Sequence, residues 1–119
     1  MADSALRSKS KEFAKGIILL CRNLKDNHVE SVLINQLLRA GTSVGANVHE
    51  AQYAQGTKDF ISKFEIALKE CSECEYWLEL LYDTSCISRE EYDSFLKYCI
   101  DLRRMLVASV TTLKAKRNP

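Results

Sequence analysis

Apolar residues recur at helical spacing along nearly the whole chain, and the recurrence breaks three times. Over about 5–25, Leu6, Phe13, Ile17, Leu20 and Leu24 are spaced by threes, fours and their sums, which predicts an amphipathic helix. Asp26-Asn27-His28 supplies the first turn. A second helix over about 29–53, turned by ~100° per residue, places Val29, Leu33, Leu37, Ala40, Val44, Val48 and Ala51 on one face. One flank of that face holds Ile34, Leu38, Gly41 and Gly45; the other holds Gln36, Arg39, Ser43, Asn47 and Glu50. Little of the circumference is left for water, so this helix predicts neighbours on several sides.

The third segment, about 57–83, has the strongest period: Phe60, Phe64, Ala67, Cys71, Cys74, Leu78 and Leu81 alternate by four and three, as a bundle seam requires. Gly56 or Thr57 is placed to cap it, with Asp59 in its first turn. The fourth, about 89–115, follows Ser88 with Glu91 three residues on, a capping box, and Ile87 with Tyr92, a hydrophobic staple across it. Its seam is Tyr92, Phe95, Cys99, Leu102, Leu106, Val110 and Leu113. Four long helices joined by short breaks cannot cross a bundle lengthwise between elements. The expected fold is all-α, an antiparallel up-down-up-down four-helix bundle, with residues 1–119 as a single domain.

Composition alters this picture only through the distribution of charge. The formal net charge is +1 and 28% of residues are charged, which points neither to disorder nor to a uniformly basic nucleic-acid binder. Residues 7–25 nevertheless carry six basic side chains against Glu12 alone, and residues 102–119 carry five against none. In an up-down bundle Arg7, Lys9, Lys11, Lys114, Lys116 and Arg117 then gather at one end, while Glu73, Glu75, Glu79, Asp83, Glu90, Glu91 and Asp93 gather at the other. No apolar run approaches the ~20 residues of a membrane span. Five cysteines without a secretory signal fit reduced thiols. A cytoplasmic protein is the simplest expectation.

Reaction chemistry is sparse. His49-Glu50 begins like a zinc-protease helix but lacks the second His four residues after the first. Cys71 and Cys74 have the spacing of a metal or redox pair, yet both occupy seam positions and no second pair matches them, so core packing is the reading preferred. No metal, cofactor or catalytic group is expected, and an enzyme is not predicted. The row Arg39, Ser43, Asn47 and Glu50 makes one ladder of i, i+4 and i, i+3 neighbours. Folding the second helix against the third brings Arg39 near Glu70 and Asn47 near Lys63. The ladder reads as a structural polar network that sets helix register, with a ligand site as the alternative.

The motif Gln36-Leu37-x-Arg39-Ala40-x-x-Ser43-Val44-x-x-Asn47-Val48-x-Glu50-Ala51, followed by Asp59-Phe60 and Tyr76-Trp77-Leu78, resembles the 23S rRNA intervening-sequence proteins, bacterial four-helix bundles. The resemblance covers all four helices. It implies a ring-shaped homopentamer, and kinship with the accessory variability determinant of diversity-generating retroelements, which binds nucleic acid and works with a reverse transcriptase.

Two functions follow as expectations. The first is a non-enzymatic homo-oligomer that binds RNA or DNA, as an accessory to a reverse transcriptase or an RNA process. Arg7, Lys11, Lys15, Arg22 and Lys25 form a stripe opposite the apolar face of helix one, joined by Lys114, Lys116 and Arg117. The stripe has no interleaved aromatic residue, so sequence-independent phosphate contact is expected. The second is a protein-interaction ring without nucleic acid. In either case the oligomer interface is expected to use Ile34, Leu38, Gly41 and Gly45 with Ile66, Trp77 and Leu80, which lie off the main seams.

Overall fold

The computed structural model describes residues 2–117, with side chains over 4–116. Four helices follow one another: α1 (Ala2–Asp26), α2 (Ser31–Ala51), α3 (Thr57–Asp83) and α4 (Arg89–Arg117). They pack in chain order, α1 on α2, α2 on α3 and α3 on α4, and α4 closes more lightly onto α1. The descending register of cross-helix ion pairs makes the neighbours antiparallel. Lys63 meets Glu50 and Arg39 meets Glu70 between α2 and α3, while Arg103 meets Glu75 and Lys114 meets Glu65 between α3 and α4. The molecule measures 51 × 22 × 20 Å.

The seams read from the sequence in α1, α3 and α4 are buried over most of their length, with Phe60, Tyr92, Phe95 and Leu113 only partly so. Leu6, Phe13, Ile17, Leu20 and Leu24 of α1 share one core with Phe64, Ala67, Cys71, Cys74, Leu78 and Leu81 of α3 and with Cys99, Leu102, Leu106 and Val110 of α4. The core face of α2 is rotated from the expected one. Ile34 and Gly41 are buried, whereas Val29 and Leu33 are only partly so. The reason is α1. A β-carbon added at Gly41 would lie 2.8 Å from Ile17 Cγ2, and one added at Gly45 would lie 3.3 Å from the Ser10 carbonyl oxygen. The two glycines let the backbones of α1 and α2 close together within one chain, so Gly41, expected at an interface between subunits, packs against Ile17 of its own chain.

The helix ends follow two designs. At the start of α4 the Ser88 hydroxyl accepts from the Glu91 N–H at 3.1 Å and the Glu91 carboxylate accepts from the Ser88 N–H at 3.0 Å, the reciprocal box expected. At the start of α3 Gly56 occupies the cap position without a side-chain bond, and Asp59 instead accepts from the Gln55 N–H at 3.2 Å. α1 and α3 both end on a left-handed residue, His28 (φ 59) and Ser85 (φ 64). In each the following N–H reaches back five residues, Val29 to the Leu24 carbonyl and Cys86 to that of Leu81. These are Schellman closures made without glycine.

Candidate nucleic-acid interface

α1 is amphipathic over its full length, so burying Leu6, Phe13, Ile17 and Leu24 forces its opposite face to water. Arg7, Lys11, Lys15, Arg22 and Lys25 are all exposed there. Lys15 reaches Glu12 of its own helix at 3.2 Å. Among the described residues no carboxylate lies within 4 Å of Lys11, Arg22 or Lys25. The C-terminal cations differ. Lys114 is held by Glu65 at 3.0 Å, Lys116 is exposed, and the side chain of Arg117 lies outside the described residues.

Lys9 lies 3.5 Å from Asp101 and its ammonium sits 4.8 Å from the centre of the Tyr98 ring, which ties it to the α1–α4 seam. The acidic end retains Glu79, Asp83 and Glu90 as exposed charges, whereas Arg39 holds Glu73 and Arg89 holds Asp93.

The polar ladder on α2 divides. Arg39 spans to α3, where one guanidinium nitrogen donates to Glu70 at 3.1 Å and the other to Glu73 and Gln36. Glu70 is only 4% exposed. The indole N–H of Trp77 donates to Glu73 as well, at 3.2 Å. Ser43 and Asn47 turn back on their own helix, donating to the carbonyls of Arg39 and Ser43 at 2.6 and 2.8 Å. Asn47 was expected beside Lys63; it is Glu50 that meets Lys63, at 3.8 Å. An amide four residues from a helical carbonyl finds a partner without leaving its helix, and the longer glutamate reaches the lysine.

The thiols are core. Cys21, Cys71, Cys74 and Cys99 are buried and free. Burial pushes Cys21 up to about 11 and Cys71 up to about 12. It raises Cys74 and Cys99 further, with neighbouring thiols and glutamates adding to the effect. Among the described residues no cluster of three His, Cys, Asp or Glu side chains is placed to hold a metal ion.

Two clefts open on the surface. A groove of about 820 Å³ runs between the last turns of α4 and the α2–α3 junction, lined by Ala51, Phe60, Met105, Ala108 and Leu113 with Lys116 at its edge. A smaller cleft of about 470 Å³ lies over the close α1–α2 contact, among Ser4, Arg7, Ser8, Lys11, Thr42 and His49. The sequence pattern anticipated neither, because each is built by residues of more than one helix, and which residues face one another depends on how the helices register. Tyr53 is 77% exposed, and several further apolar side chains are exposed that the sequence pattern did not single out: Leu19, Val32 at 68%, Tyr76 and Val107. Of the expected interface positions Ile66 is 38% exposed, and Leu38, Trp77 and Leu80 are partly so.

Fold and surface together define a small antiparallel four-helix bundle with one cationic helix. The chain belongs to the family of 23S rRNA-intervening sequence proteins, whose sequence profile matches residues 2–108. It is similar to a crystal structure at 1.70 Å of a Bacteroides thetaiotaomicron protein, described as of unknown function and from the S23 ribosomal protein family. The two are 44% identical, with a TM-score of 0.91 over 93% of this chain and 99% of the other. No curated protein matches the chain. Among the described residues no helix is long and apolar enough to cross a membrane.

Proposed function

We propose that this chain is a non-enzymatic homo-oligomer that binds nucleic acid through the α1 stripe, by contact with phosphate and with little sequence preference. The observation that carries the reading is the state of the stripe: five exposed cations on one helix, with Lys11, Arg22 and Lys25 having no carboxylate within 4 Å among the described residues. A nearly neutral chain that exposes such a row presents a local positive field, and assembly of several copies multiplies it. Exposed Leu19, Val32, Ile66, Tyr76 and Val107 supply apolar surface for that assembly. The family resemblance favours five subunits in a ring and a reverse transcriptase or RNA process as the setting.

The test is binding of oligonucleotides as a function of salt. Affinity should fall steeply from ~50 to ~200 mM salt, because each neutralised phosphate releases condensed counterions. Replacing Lys15, Arg22 and Lys25 together by Glu should abolish binding and leave the melting temperature within a few degrees, since all three side chains face water. A parent that does not bind at ~50 mM salt, or a triple variant that binds as tightly as the parent, would falsify the proposal. The second reading, a ring that takes a protein partner instead, is favoured by the partly exposed Ile66, Trp77 and Leu80. It predicts an oligomer by light scattering with no gel shift.

A further inference from the structure

The cleft over the α1–α2 contact has a composition unlike the rest of the surface. Its lining, which includes Ser4, Arg7, Ser8, Lys11, Thr42 and His49, has two cationic groups, an imidazole, four hydroxyls counting that of Ser10, and no carboxylate. Its floor is made by small residues because Gly45 sits against the Ser10 backbone. Two of the hydroxyls are spoken for: Ser10 donates to the Arg7 carbonyl at 3.2 Å and Thr42 to that of Leu38 at 2.8 Å. Ser4, Ser8, Lys11 and His49 remain to donate outward. Asp3, one turn before Arg7, has its side chain outside the described residues, so the positive charge of the cleft is assigned to Lys11 first. A volume of about 470 Å³ lies within the ~300–1,000 Å³ of small-ligand clefts. That volume suits one phosphate with its sugar rather than a whole duplex.

A second observation lies beside His49. His49 lines the cleft, and its ring centre stands 5.6 Å from that of Tyr53 one turn on. Tyr53 is 77% exposed, the highest value of any large apolar or aromatic side chain among the described residues. An exposed aromatic ring beside a cationic, hydroxyl-lined cleft is the arrangement that single-stranded nucleic acids use, phosphate held by cations and base stacked on the ring. Bases in a duplex are already stacked and cannot reach it.

We propose that this cleft is a nucleotide-unit site for single-stranded nucleic acid, in which Lys11, His49 and the Ser8 hydroxyl hold a backbone phosphate and Tyr53 stacks a base. The inference rests on the nucleic-acid reading above and deepens it, because it gives the oligomer a preference for strand form that the stripe alone would lack. The experiment compares fluorescence anisotropy of a labelled single strand with that of its duplex, at one salt concentration, for the parent, Tyr53→Ala, Tyr53→Trp and Tyr76→Ala.

The parent should prefer the single strand. Tyr53→Ala should lose about 5- to 150-fold of single-strand affinity, the range for one base–aromatic stack, with duplex binding unchanged. Tyr53→Trp should keep the preference, as should Tyr76→Ala, which removes an exposed ring from α3. A parent that binds both forms equally, or a Tyr53→Ala variant that binds single strands like the parent, overturns the site while leaving the stripe reading intact. A parent that binds neither form removes both. Loss of assembly mass in Tyr53→Ala would place the ring at a subunit interface and overturn the site. Competition by a mononucleotide as effective as the strand itself would overturn it too, in favour of a free nucleotide.

Discussion

An alanine at position 41 tests the close contact on which the bundle geometry depends. Its added methyl would lie 2.8 and 2.9 Å from the two γ-carbons of Ile17 and 3.1 Å from the β-carbon. Ile17 is fully buried and β-branched, so a single χ1 rotamer dominates in a helix and no side-chain swing relieves the clash. The helices must part instead. Overpacking of this kind costs about 1–3 kcal/mol. Alanine in a helix interior is favoured over glycine by about 1 kcal/mol, so the net effect is a loss of up to about 2 kcal/mol. Gly16 provides the comparison. An added carbon there meets only the Phe95 ring edge at 3.4 Å, an ordinary contact, and Gly16→Ala should stabilise by ~0.5–1 kcal/mol. The two variants should therefore differ by about 1–3 kcal/mol, or very roughly 4–12 °C in melting temperature for a chain of this size. Protomer concentration must be held constant, because assembly couples it to apparent stability. Light scattering should give the parent's mass for both, since Gly41 contacts α1 of its own chain. Combining Ile17→Ala with Gly41→Ala should show favourable coupling as the new methyl enters the space vacated. Equal melting of Gly41→Ala and Gly16→Ala, or a cycle additive within ~0.5 kcal/mol, would refute the contact.

Two further predictions concern the interior. Arg39→Ala strands the Glu70 carboxylate, which is 4% exposed and receives its hydrogen bond from Arg39. It should cost about 1–3 kcal/mol in urea unfolding, and Arg39→Met with Glu70→Leu should recover most of that because an apolar pair needs no partner; a single variant as stable as the parent contradicts this. For the thiols, a disulfide reagent near neutral pH should modify Cys86 alone in the folded protein, because Cys21, Cys71, Cys74 and Cys99 are buried, and should reach the other four on unfolding. Their folded pKa values are raised above the ordinary 9.0, Cys21 to about 11 and Cys71 to about 12. From 9.0 upward the unfolded chain has released protons that the folded chain still holds, so their contribution to stability is complete below 9.0 and falls as pH rises toward 11 and 12. The melting temperature of Cys71→Ala should decline less steeply over that window than the parent's.

The helices were legible because a bundle seam is a local signal: the spacing of Phe64, Ala67, Cys71, Cys74 and Leu78 needs only one helix to be recognised, and all five are buried. The capping box at Ser88 and Glu91 was legible for the same reason. The ends of α1 and α3 were legible in position but not in their closures, since His28 and Ser85 adopt the left-handed conformation that sequence reading assigns first to glycine. The face of α2 was read partly wrong. Small residues at Gly41 and Gly45 marked a close approach, but a close approach does not say which helix makes it. Only the register of α1 against α2 shows that Ile17 and Ser10 fill that flank.

The stripe and the cleft show the same division. The cationic row on α1 follows from one helical period. The cleft requires knowing that Lys11 and His49, nearly forty residues apart, face one another across the contact that Gly45 permits. Charge cancellation is likewise a property of the assembled fold. Glu70, Glu73 and Glu50 are taken up between α2 and α3, and Glu75 and Glu65 between α3 and α4, by Arg39, Lys63, Arg103 and Lys114. Asp101 engages Lys9 at the α1–α4 seam. Acids that face the seams are consumed there, while the outer face of α1 has only Glu12 and, at its last residue, Asp26 among the described residues to answer its cations. A chain of net charge +1 thereby turns a local excess into a free positive edge. The close packing of α1 on α2 brings that edge within reach of hydroxyls, an imidazole and an exposed tyrosine, so a substitution that pries the two helices apart should weaken the cleft before it weakens the stripe.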